Sequence, residues 1–328
     1  MLVSTSYLNR RIGDAAMMHL LVDGLCMCCL YLTVNSSTVT DYVGVFLSYN
    51  LLAFASQPVT GLLVDYVKQK HWMLITSVAT LALAVLFASL TVTAVMPKIG
   101  PWMVPVLLGF ANSMFHVWGG KHTVLIAGND MRAIGVFVST GALGLSLGFV
   151  FCSWKLVYAF LIMLVIVAAD FLYTDNKYDE MGQAYANEKA ITVNYGVLTA
   201  ALAMVIVMAL VMFRSYFGEV LSAAIRRTNM VVLGIGVTAM LGKMAGGWLA
   251  KGIGVVAALS LAATAAAVCW LLRENGPVMI FVSIFIVNLT MPITLYLANV
   301  VMRGKEGFAF GLLAAALIPG YLIAKGIL

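Results

Sequence analysis

Charged residues are scarce in this sequence of 328 residues. Asp, Glu, Lys and Arg make up 10% of it, hydrophobic residues make up 63%, and the mean hydropathy is +1.03. A water-soluble domain of this length needs far more charge to cover its surface, so the composition excludes that class. The longest polar stretch, residues 174–192, is too short to form a second, soluble domain. The sequence therefore predicts a protein whose apolar surface faces lipid.

Motifs for chemistry on a bound substrate are also missing. The sequence has no glycine-rich phosphate loop ending in Lys-Ser or Lys-Thr, no zinc-type His-Glu helix and no nucleophile elbow. We therefore expect neither an enzyme nor an ATP-driven pump, and we expect no cofactor. The net charge is +6, but the basic residues are dispersed among short loops. This dispersal argues against a nucleic-acid partner.

Cysteine is rare and does not form a ligand pattern. No histidine or acidic cluster with ligand spacing accompanies the cysteines, and a free cysteine is a small hydrophobic residue. We interpret all of them as packing residues and predict no metal site. All lie in or beside apolar runs: Cys26, Cys28, Cys29, Cys152 and Cys269.

Apolar runs long enough to cross a bilayer recur along the whole chain. A transmembrane helix needs about 20 predominantly apolar residues. Eleven such segments can be recognised, at residues 14–34, 41–64, 72–96, 101–122, 131–152, 154–173, 195–218, 228–250, 253–272, 277–301 and 306–325. We therefore predict an all-α polytopic membrane protein.

The distribution of Lys and Arg indicates the orientation of the chain. Cytoplasmic loops of membrane proteins carry an excess of these residues. If the N-terminus is cytoplasmic, that side receives most of the basic residues, from Arg10 to Lys305, whereas the pair Arg226 and Arg227 falls on the other side. We predict a multi-pass protein of the cell membrane with a cytoplasmic N-terminus.

The second half of the sequence repeats features of the first half. The second span of each half ends alike, at residues 61–65 and at residues 247–251. Internal repeats of this kind allow many transporters to form a substrate site between two helical bundles. Three pairs of residues in corresponding spans are each 176 positions apart: Asn112 and Asn288, Gly135 and Gly311, and Gly144 and Gly320.

The polar stretch separates the two halves. We predict an N-terminal six-helix bundle at residues 1–173, a cytoplasmic linker at 174–193 and a C-terminal helical bundle at 194–328. Six of the predicted spans precede the linker and five follow it. The twelfth helix expected from the repeat is therefore not found in this sequence.

The loop after the second span resembles that of the major facilitator superfamily. Residues 61–70, Gly-Leu-Leu-Val-Asp-Tyr-Val-Lys-Gln-Lys, contain a glycine, an aspartate four residues later and basic residues at the end of the turn. The glycine and arginine that the superfamily has inside this turn are absent, and Tyr66, Val67 and Gln69 stand there. The resemblance implies two bundles that rock about a central cavity to carry a solute.

Within that superfamily, the sequence is similar to the fosmidomycin-resistance branch. Val117 stands where the branch has a proline, and no proline follows Gly148. Because a proline at that second position belongs to the fifth-span pattern of antiporters, the resemblance does not imply antiport. The matching positions are His19 and Asp23 in the first span, Phe115 and His116 in the fourth, Gly141, Gly144 and Gly148 in the fifth, and Arg214 and Ser215 in the seventh.

Asp23 is the first candidate for a functional residue, because it lies in the middle of the first predicted span. A charged side chain at that depth costs at least ~2.5 kcal/mol, and such residues usually face partners or a water-filled cavity. His19 precedes it by four residues and so lies on the same helical face. The pair could couple transport to protons, fix the helix through a structural hydrogen bond, or contact the solute directly. We favour proton coupling.

Five further polar residues form the predicted solute site. His116 follows Asn112 by four residues, so both can face one cavity, although a lone histidine can also bond a neighbouring carbonyl. Asn288 is the repeat equivalent of Asn112. Arg214 and Lys243 are the intramembrane cations of the second half, and each could instead extend to the lipid headgroups. These cations predict an anionic or zwitterionic solute.

The ends of the second spans contain candidate gating residues. Asp65 and Lys68 are typical of a latch whose charges pair in one access state and separate in the other. Lys251 takes the equivalent place in the second half, where the superfamily often has Asp, so that latch is expected to be altered or lost. Glycines of the fifth span permit close helix contact, and we interpret them as a packing seam that moves during gating: Gly141, Gly144 and Gly148.

The function that fits these patterns is secondary active transport of a small polar solute, anionic or zwitterionic, by alternating access, coupled to protons. A facilitator or a sodium-coupled symporter is an alternative within transport. From another class, a non-transporting scaffold or sensor with a transporter-like body would fit the missing twelfth helix and the altered latch. The expected partners are a small-molecule solute and membrane lipid, and the oligomeric state stays open.

Overall fold

The computed structural model describes residues 2–36, 42–67, 71–92, 99–128, 130–188 and 196–328. Within these ranges the regular structure is entirely helical. The helices are α1 (Leu2–Ser36), α2 (Tyr42–Asn50), a π-helix (Leu51–Ala55), α3 (Gln57–Tyr66), α4 (Trp72–Val92), α5 (Gly100–Ala127), α6 (Met131–Val150), α7 (Trp154–Glu188), α8 (Val197–Ala223), α9 (Asn229–Ile253), α10 (Val255–Leu271), α11 (Pro277–Asn288), α12 (Thr290–Val301), α13 (Glu306–Ala315) and α14 (Leu317–Ala324).

These helices confirm the predicted all-α membrane architecture. In the described part of the chain, eight segments are both long and apolar enough to cross a bilayer. The second predicted span consists of α2, the π-helix and α3, the tenth of α11 and α12, and the eleventh of α13 and α14. Every predicted span thus corresponds to a helix or to consecutive helices.

Proline explains the three interrupted spans. A proline inside a helix removes one backbone donor, and its ring clashes with the carbonyl four residues earlier. Pro58, Pro292 and Pro319 each follow an interruption by a few residues. The π-helix before Pro58 accommodates the same conflict, and π-helical turns often occur at functional sites. All three interrupted spans contribute to the lining of the central cavity described below.

Helix α7 extends further than the sequence predicted. The predicted span ended at residue 173, whereas α7 continues to Glu188, within the stretch predicted as a linker. The polar segment after 173 contains one glycine, Gly182, and no proline, so its helix-forming residues continue the helix at modest cost. The division into two bundles and a linker stays a prediction.

Each half has a buried aromatic and aliphatic core. In the first half, the largest fully buried side chains include Phe115, Phe137 and Phe171. A smaller cluster in the second half packs around Phe217 and Ile284. The most extensive helix contacts join α1 to α6 within the first half and α6 to α9 between the halves. Helix α6 therefore connects the first-half core to the second half.

Two close helix crossings join the halves at one end. At the first, Gly61 of α3 packs against the backbone of Gly307 in α13, with no room for a side chain. At the second, Gly247 of α9 packs in the same way against the backbone of Met131 in α6. Positions 61 and 247 are equivalent in the repeat, and positions 131 and 307 differ by its 176-residue offset. The repeat therefore explains why the same contact occurs twice.

Candidate functional site

A cavity of about 680 Å³ lies between the two halves. Its first wall is formed by α1, α2, α5 and α6, and its second by α8, α9 and α12 to α14. It extends along α1 from His19 and Asp23 at the deep end to Tyr31 near the opposite end, where Arg227 and Lys325 also line it. The two glycine crossings lie beyond the deep end, so the cavity is open at one end and closed at the other.

Asp23 lies at the deep end within a network of polar side chains. Its Oδ1 accepts a hydrogen bond of 2.9 Å from Asn112 Nδ2. Its Oδ2 is 3.3 Å from His19 Nε2, and its Oδ1 is 3.6 Å from His116 Nε2. All four side chains are at least nine-tenths buried. The structure thus brings the predicted coupling pair together with two of the predicted solute-site residues.

Helix geometry and one glycine position this network. His19 and Asp23 are one turn apart on α1, and Asn112 and His116 are one turn apart on α5, so each pair shares a face. Gly141 of α6 lies directly against the carboxylate of Asp23 and the ring of His19, where a β-carbon would overlap both. The site therefore requires glycine at this position of α6.

Two cations of the second half line the opposite wall. Arg214 of α8 is buried, and its Nη1 has no hydrogen-bond partner within the described residues. Lys243 of α9 interacts electrostatically with Asp23 across the cavity and with Arg214 beside it. At the open end, Lys325 pairs with Glu219 at 2.8 Å. The wall that the second half contributes is therefore positively charged near the deep end of the cavity.

Asn288 lies apart from the cavity lining. Its Nδ2 donates a hydrogen bond of 2.8 Å to the carbonyl of Ile284 in its own helix. Its β-carbon packs near Gly242 of α9, within the second half. Asn112 does not line the cavity either, and its contact with the site is the hydrogen bond to Asp23. The solute-binding role of both residues stays a prediction.

Asp65 is buried in the contact that closes the cavity at its deep end. Its two carboxylate oxygens accept hydrogen bonds from the backbone amides of Gly307, at 3.0 Å, and Phe308, at 2.8 Å. These amides belong to the first turn of α13, where unpaired donors and the helix dipole favour an anion. Lys121 of α5 lies 3.0 Å from the same carboxylate. Lys68, the predicted latch partner, lies outside the described residues.

At the second crossing, between α6 and α9, the acid stands on the opposite helix from that of the first. Here Asp130 caps the N-terminus of α6 and accepts from the backbone amide of Arg132 at 3.1 Å. The hydrogen bond from the Arg132 side chain and the positive charge of Lys251 lower the pKa of Asp130. At this crossing the acid, Asp130, therefore belongs to α6 itself, and the base, Lys251, belongs to the facing helix α9.

The glycines of α6 pack within the first half. Gly144 lies against the carbonyl of Leu20 and Gly148 against the carbonyl of Gly24, both on α1. Together with Gly141, they bring α6 close to α1 in the same bundle. Their predicted part in gating stays a prediction, because the contact between the halves uses other faces of α6.

One group of side chains has the geometry to hold a cation. His19, Asp23 and His116 have potential ligand atoms that all lie within 4.8 Å of one another, and no other such group occurs in the described ranges. The sequence predicted no metal site, because His116 lies on a different span from His19 and Asp23, and no sequence spacing connects the three. Their proximity depends on how α1 and α5 pack.

Comparison with solved structures gives the fold. The chain is similar to the human organic anion transporter MFSD10, with a TM-score of 0.67, 15% identity, and coverage of 96% of this chain and 92% of that one. It is also similar to FucP in its outward conformation, with a TM-score of 0.63, 12% identity and coverage of 97% and 90%. This protein has the major facilitator fold. The superfamily resemblance of the sequence is confirmed at the level of fold.

A third solved structure is also similar over most of both chains. A bacterial homologue of the iron transporter ferroportin, in an outward-facing state, matches with a TM-score of 0.61, 14% identity and coverage of 96% and 91%. No family model matches the sequence, and a search of curated proteins finds no match. The narrower similarity to the fosmidomycin-resistance branch stays a prediction.

Proposed function

We propose that this protein is a secondary active transporter that moves a small polar, anionic solute by alternating access. The carrying observation is the cavity between the halves, which is open at one end and closed at the other, with ionisable groups of both halves at its deep end. Such a cavity can bind a solute from one side of the membrane. Rocking of the halves would then open the deep end.

The charges around the cavity favour an anion. Glu219 is neutralised by Lys325, and Asp23 is engaged by Asn112 and the histidines. Arg214 and Lys243 lie on the opposite wall with no acid of the described residues within ion-pair distance. Fixed cations in a cleft with low-dielectric walls concentrate anions. One of the similar structures is an organic anion transporter, which supports the same class of solute.

The proposed coupling ion is the proton, and Asp23 with His19 forms the proposed coupling site. Both line the cavity, so water from the open end can reach them. Lys243 on the other half also interacts electrostatically with Asp23. A change of protonation here would therefore alter the attraction between the halves and the affinity for an anion.

The predicted orientation of the chain decides which side of the membrane the open end of the cavity faces. With the predicted cytoplasmic N-terminus, α1 runs outward, so the open end of the cavity faces the outside of the cell. Two of the similar structures are described as outward-facing. The crossings made by Gly61 and Gly247 would then close the cytoplasmic side.

Transport into proteoliposomes tests this function. We would offer radiolabelled lactate, succinate, phosphate and neutral glucose to liposomes with an acidic exterior, with and without a proton-conducting ionophore. We expect accumulation of at least one anion, with loss of accumulation on adding ionophore or in Asp23→Asn. Ionophore-insensitive uptake would indicate a facilitator or a sodium-coupled symporter. Equal retention by empty liposomes and by liposomes with the protein, for every probe, would favour the scaffold or sensor.

A further inference from the structure

The two histidines of the site face each other with the same ring nitrogen. His19 Nε2 and His116 Nε2 are 2.9 Å apart, which is a hydrogen-bond distance. The rings are nearly perpendicular, with centroids 4.6 Å apart. A hydrogen bond between two nitrogens requires that one of them carries a hydrogen and the other a lone pair. The positions of the hydrogens therefore decide the charge of the pair.

The other ring nitrogens fix these positions. His19 Nδ1 is 2.8 Å from the backbone carbonyl of Phe137, and His116 Nδ1 is 2.9 Å from the backbone carbonyl of Asn112. A carbonyl oxygen can only accept, so both Nδ1 atoms donate. A neutral imidazole has one N–H, which leaves both Nε2 atoms without hydrogen. Two neutral rings would then direct lone pairs at each other.

We propose that His19 and His116 together hold one extra proton, shared between their Nε2 atoms, and that Asp23 stays ionised as its counter-ion. The extra proton provides the missing hydrogen of the 2.9 Å contact. The carboxylate lies within 3.6 Å of both Nε2 atoms and is held by Asn112. The positive pair and the negative carboxylate thus neutralise each other inside the membrane.

The other ionisable groups around the pair are two bases of the second half and two side chains that are neutral near pH 7. From α9, Lys243 interacts with Asp23 and His116, and from α8, Arg214 interacts with Lys243. Tyr49 on α2 and Cys26 on α1 interact with Asp23, and both are ordinarily neutral near pH 7. Helix α6 contributes Gly141 and the backbone carbonyl of Phe137, neither of which is charged. Within the described residues, Asp23 is thus the sole acid beside the pair.

A proton fits this space better than a metal ion. Zinc–nitrogen bonds of about 2.0 to 2.1 Å in a tetrahedral site separate two ligand nitrogens by about 3.3 Å. The nitrogens here are closer, at 2.9 Å. Lys243 also adds positive charge on the open side of the site, and this charge repels a divalent cation more strongly than a single proton. The geometry therefore assigns a shared proton.

This inference changes the roles of two residues. His116 becomes a coupling residue, and Asp23 becomes the counter-ion that allows the histidines to stay protonated. The coupling role rests on the proposed transport function, whereas the shared proton is a property of the folded site. With the proton bound, the cavity carries one more positive charge, so an anionic solute and a proton favour each other's binding. The transport they would support is symport.

Nitrogen-15 NMR of the purified full-length protein, labelled on histidine, tests the shared proton directly. At about pH 7 the imidazole shifts distinguish N–H from lone-pair nitrogens. Spectra of His19→Gln and His116→Gln assign the two rings. We expect both Nδ1 atoms to carry hydrogen and the two Nε2 atoms to share one. In His116→Gln, we expect His19 to become a neutral ring with hydrogen on Nδ1 only, and in Asp23→Asn we expect the shared proton to be lost.

Two results would overturn the proposal. One is a pair of neutral rings in the wild-type spectrum. The other is one equivalent of transition metal by elemental analysis, removed by a chelator with a change in the same two histidine signals. If a glutamine variant does not fold, the wild-type spectrum still decides, because it counts the hydrogens on all four histidines. Neither result depends on transport, so a failed uptake assay with an intact shared proton would refute only the proposed function.

Discussion

Asp65→Asn should weaken the closed end of the cavity. The ionised carboxylate accepts two backbone hydrogen bonds from the other half, and its side chain is 2% exposed. Hydrogen bonds to charged groups contribute about 1.5 to 3 kcal/mol each. Asparagine keeps one acceptor oxygen but loses the charge, so we expect a loss of about 2 kcal/mol. This loss corresponds to a roughly 30-fold shift from the closed towards the open state of this end.

Spin labels on either side of the closed end would measure this shift. Val67 follows α3 and Ile253 ends α9, and both side chains are partly exposed, at 40% and 50%. Cysteines at these positions, in a Cys152→Ser background, would carry the labels. We expect the double electron–electron resonance distance between them to gain a longer population in Asp65→Asn, in lipid nanodiscs.

The control is Glu306→Gln. Glu306 lies in the same region, but its carboxylate accepts from the amide of Gly304 within its own loop. This substitution removes one negative charge without touching the contact between the halves, so its distance distribution should match that of the unmutated background. An unchanged distribution in Asp65→Asn would refute the idea that this carboxylate holds the closed end.

Three further changes have definite expected outcomes. Arg214→Met removes a buried guanidinium that lacks a hydrogen-bond partner for Nη1. It should raise the free energy of unfolding by about 1 to 4 kcal/mol and abolish anion transport. Arg227→Met, at the exposed mouth of the cavity, is the control. Gly141→Ala forces a β-carbon into the polar network and should lower the free energy of unfolding by about 1 to 3 kcal/mol, whereas Gly13→Ala, with open space, should not. Lys251→Glu adds repulsion at the second crossing and should favour its open state by about 0.2 to 1 kcal/mol.

Each outcome has a measurement that can contradict it. Thermal unfolding in detergent would count against the reasoning if Arg214→Met melted at a lower temperature than the wild type, or if the two glycine variants behaved alike. For Lys251→Glu, the same spin-label pair applies, and a shorter mean distance would contradict a repulsive effect. A Lys251→Arg variant keeps the charge and serves as its control.

The fold could be predicted from the sequence because the bilayer makes a strict demand on composition. Runs of about 20 apolar residues between polar turns are rare outside membrane-spanning proteins. The repeat was visible because pairs such as Gly135 and Gly311 kept their spacing. The extension of α7 to Glu188 was not predicted, because the polar segment after 173 was assigned to a linker on composition alone. Polarity marks the end of a membrane span but not the end of a helix.

The deep end of the site could be predicted in part. Ionisable residues are so costly within a span that Asp23, His19 and His116 stood out, and they do lie together. Their arrangement could not be predicted, because the distance between His19 and His116 depends on how α1 crosses α5. Asn288 was expected beside the cavity by analogy with Asn112, but equivalent positions in a repeat need not face the same space.

The contact that closes the cavity was the hardest part to predict. Asp65 was recognised, but two of its partners are the backbone amides of Gly307 and Phe308, which no side-chain pattern reveals. Lys121 was also missed as an ion-pair partner, since it lies on a different helix and at a position typical of an interfacial lysine. A search for helix N-termini without a capping residue could have found α13, because Lys305 at its N-cap makes no side-chain capping bond.

The opposite charge arrangements at the two glycine crossings have a consequence for salt dependence. The carboxylate of Asp65 is sealed from water, so dissolved ions screen it little. Lys251 is exposed, Asp130 is partly exposed, and their attraction acts at longer range than an ion pair, so a Debye length of about 8 Å at physiological ionic strength screens it. Raising ionic strength should therefore loosen one crossing and leave the other intact, so that the two duplicated contacts open at different salt concentrations.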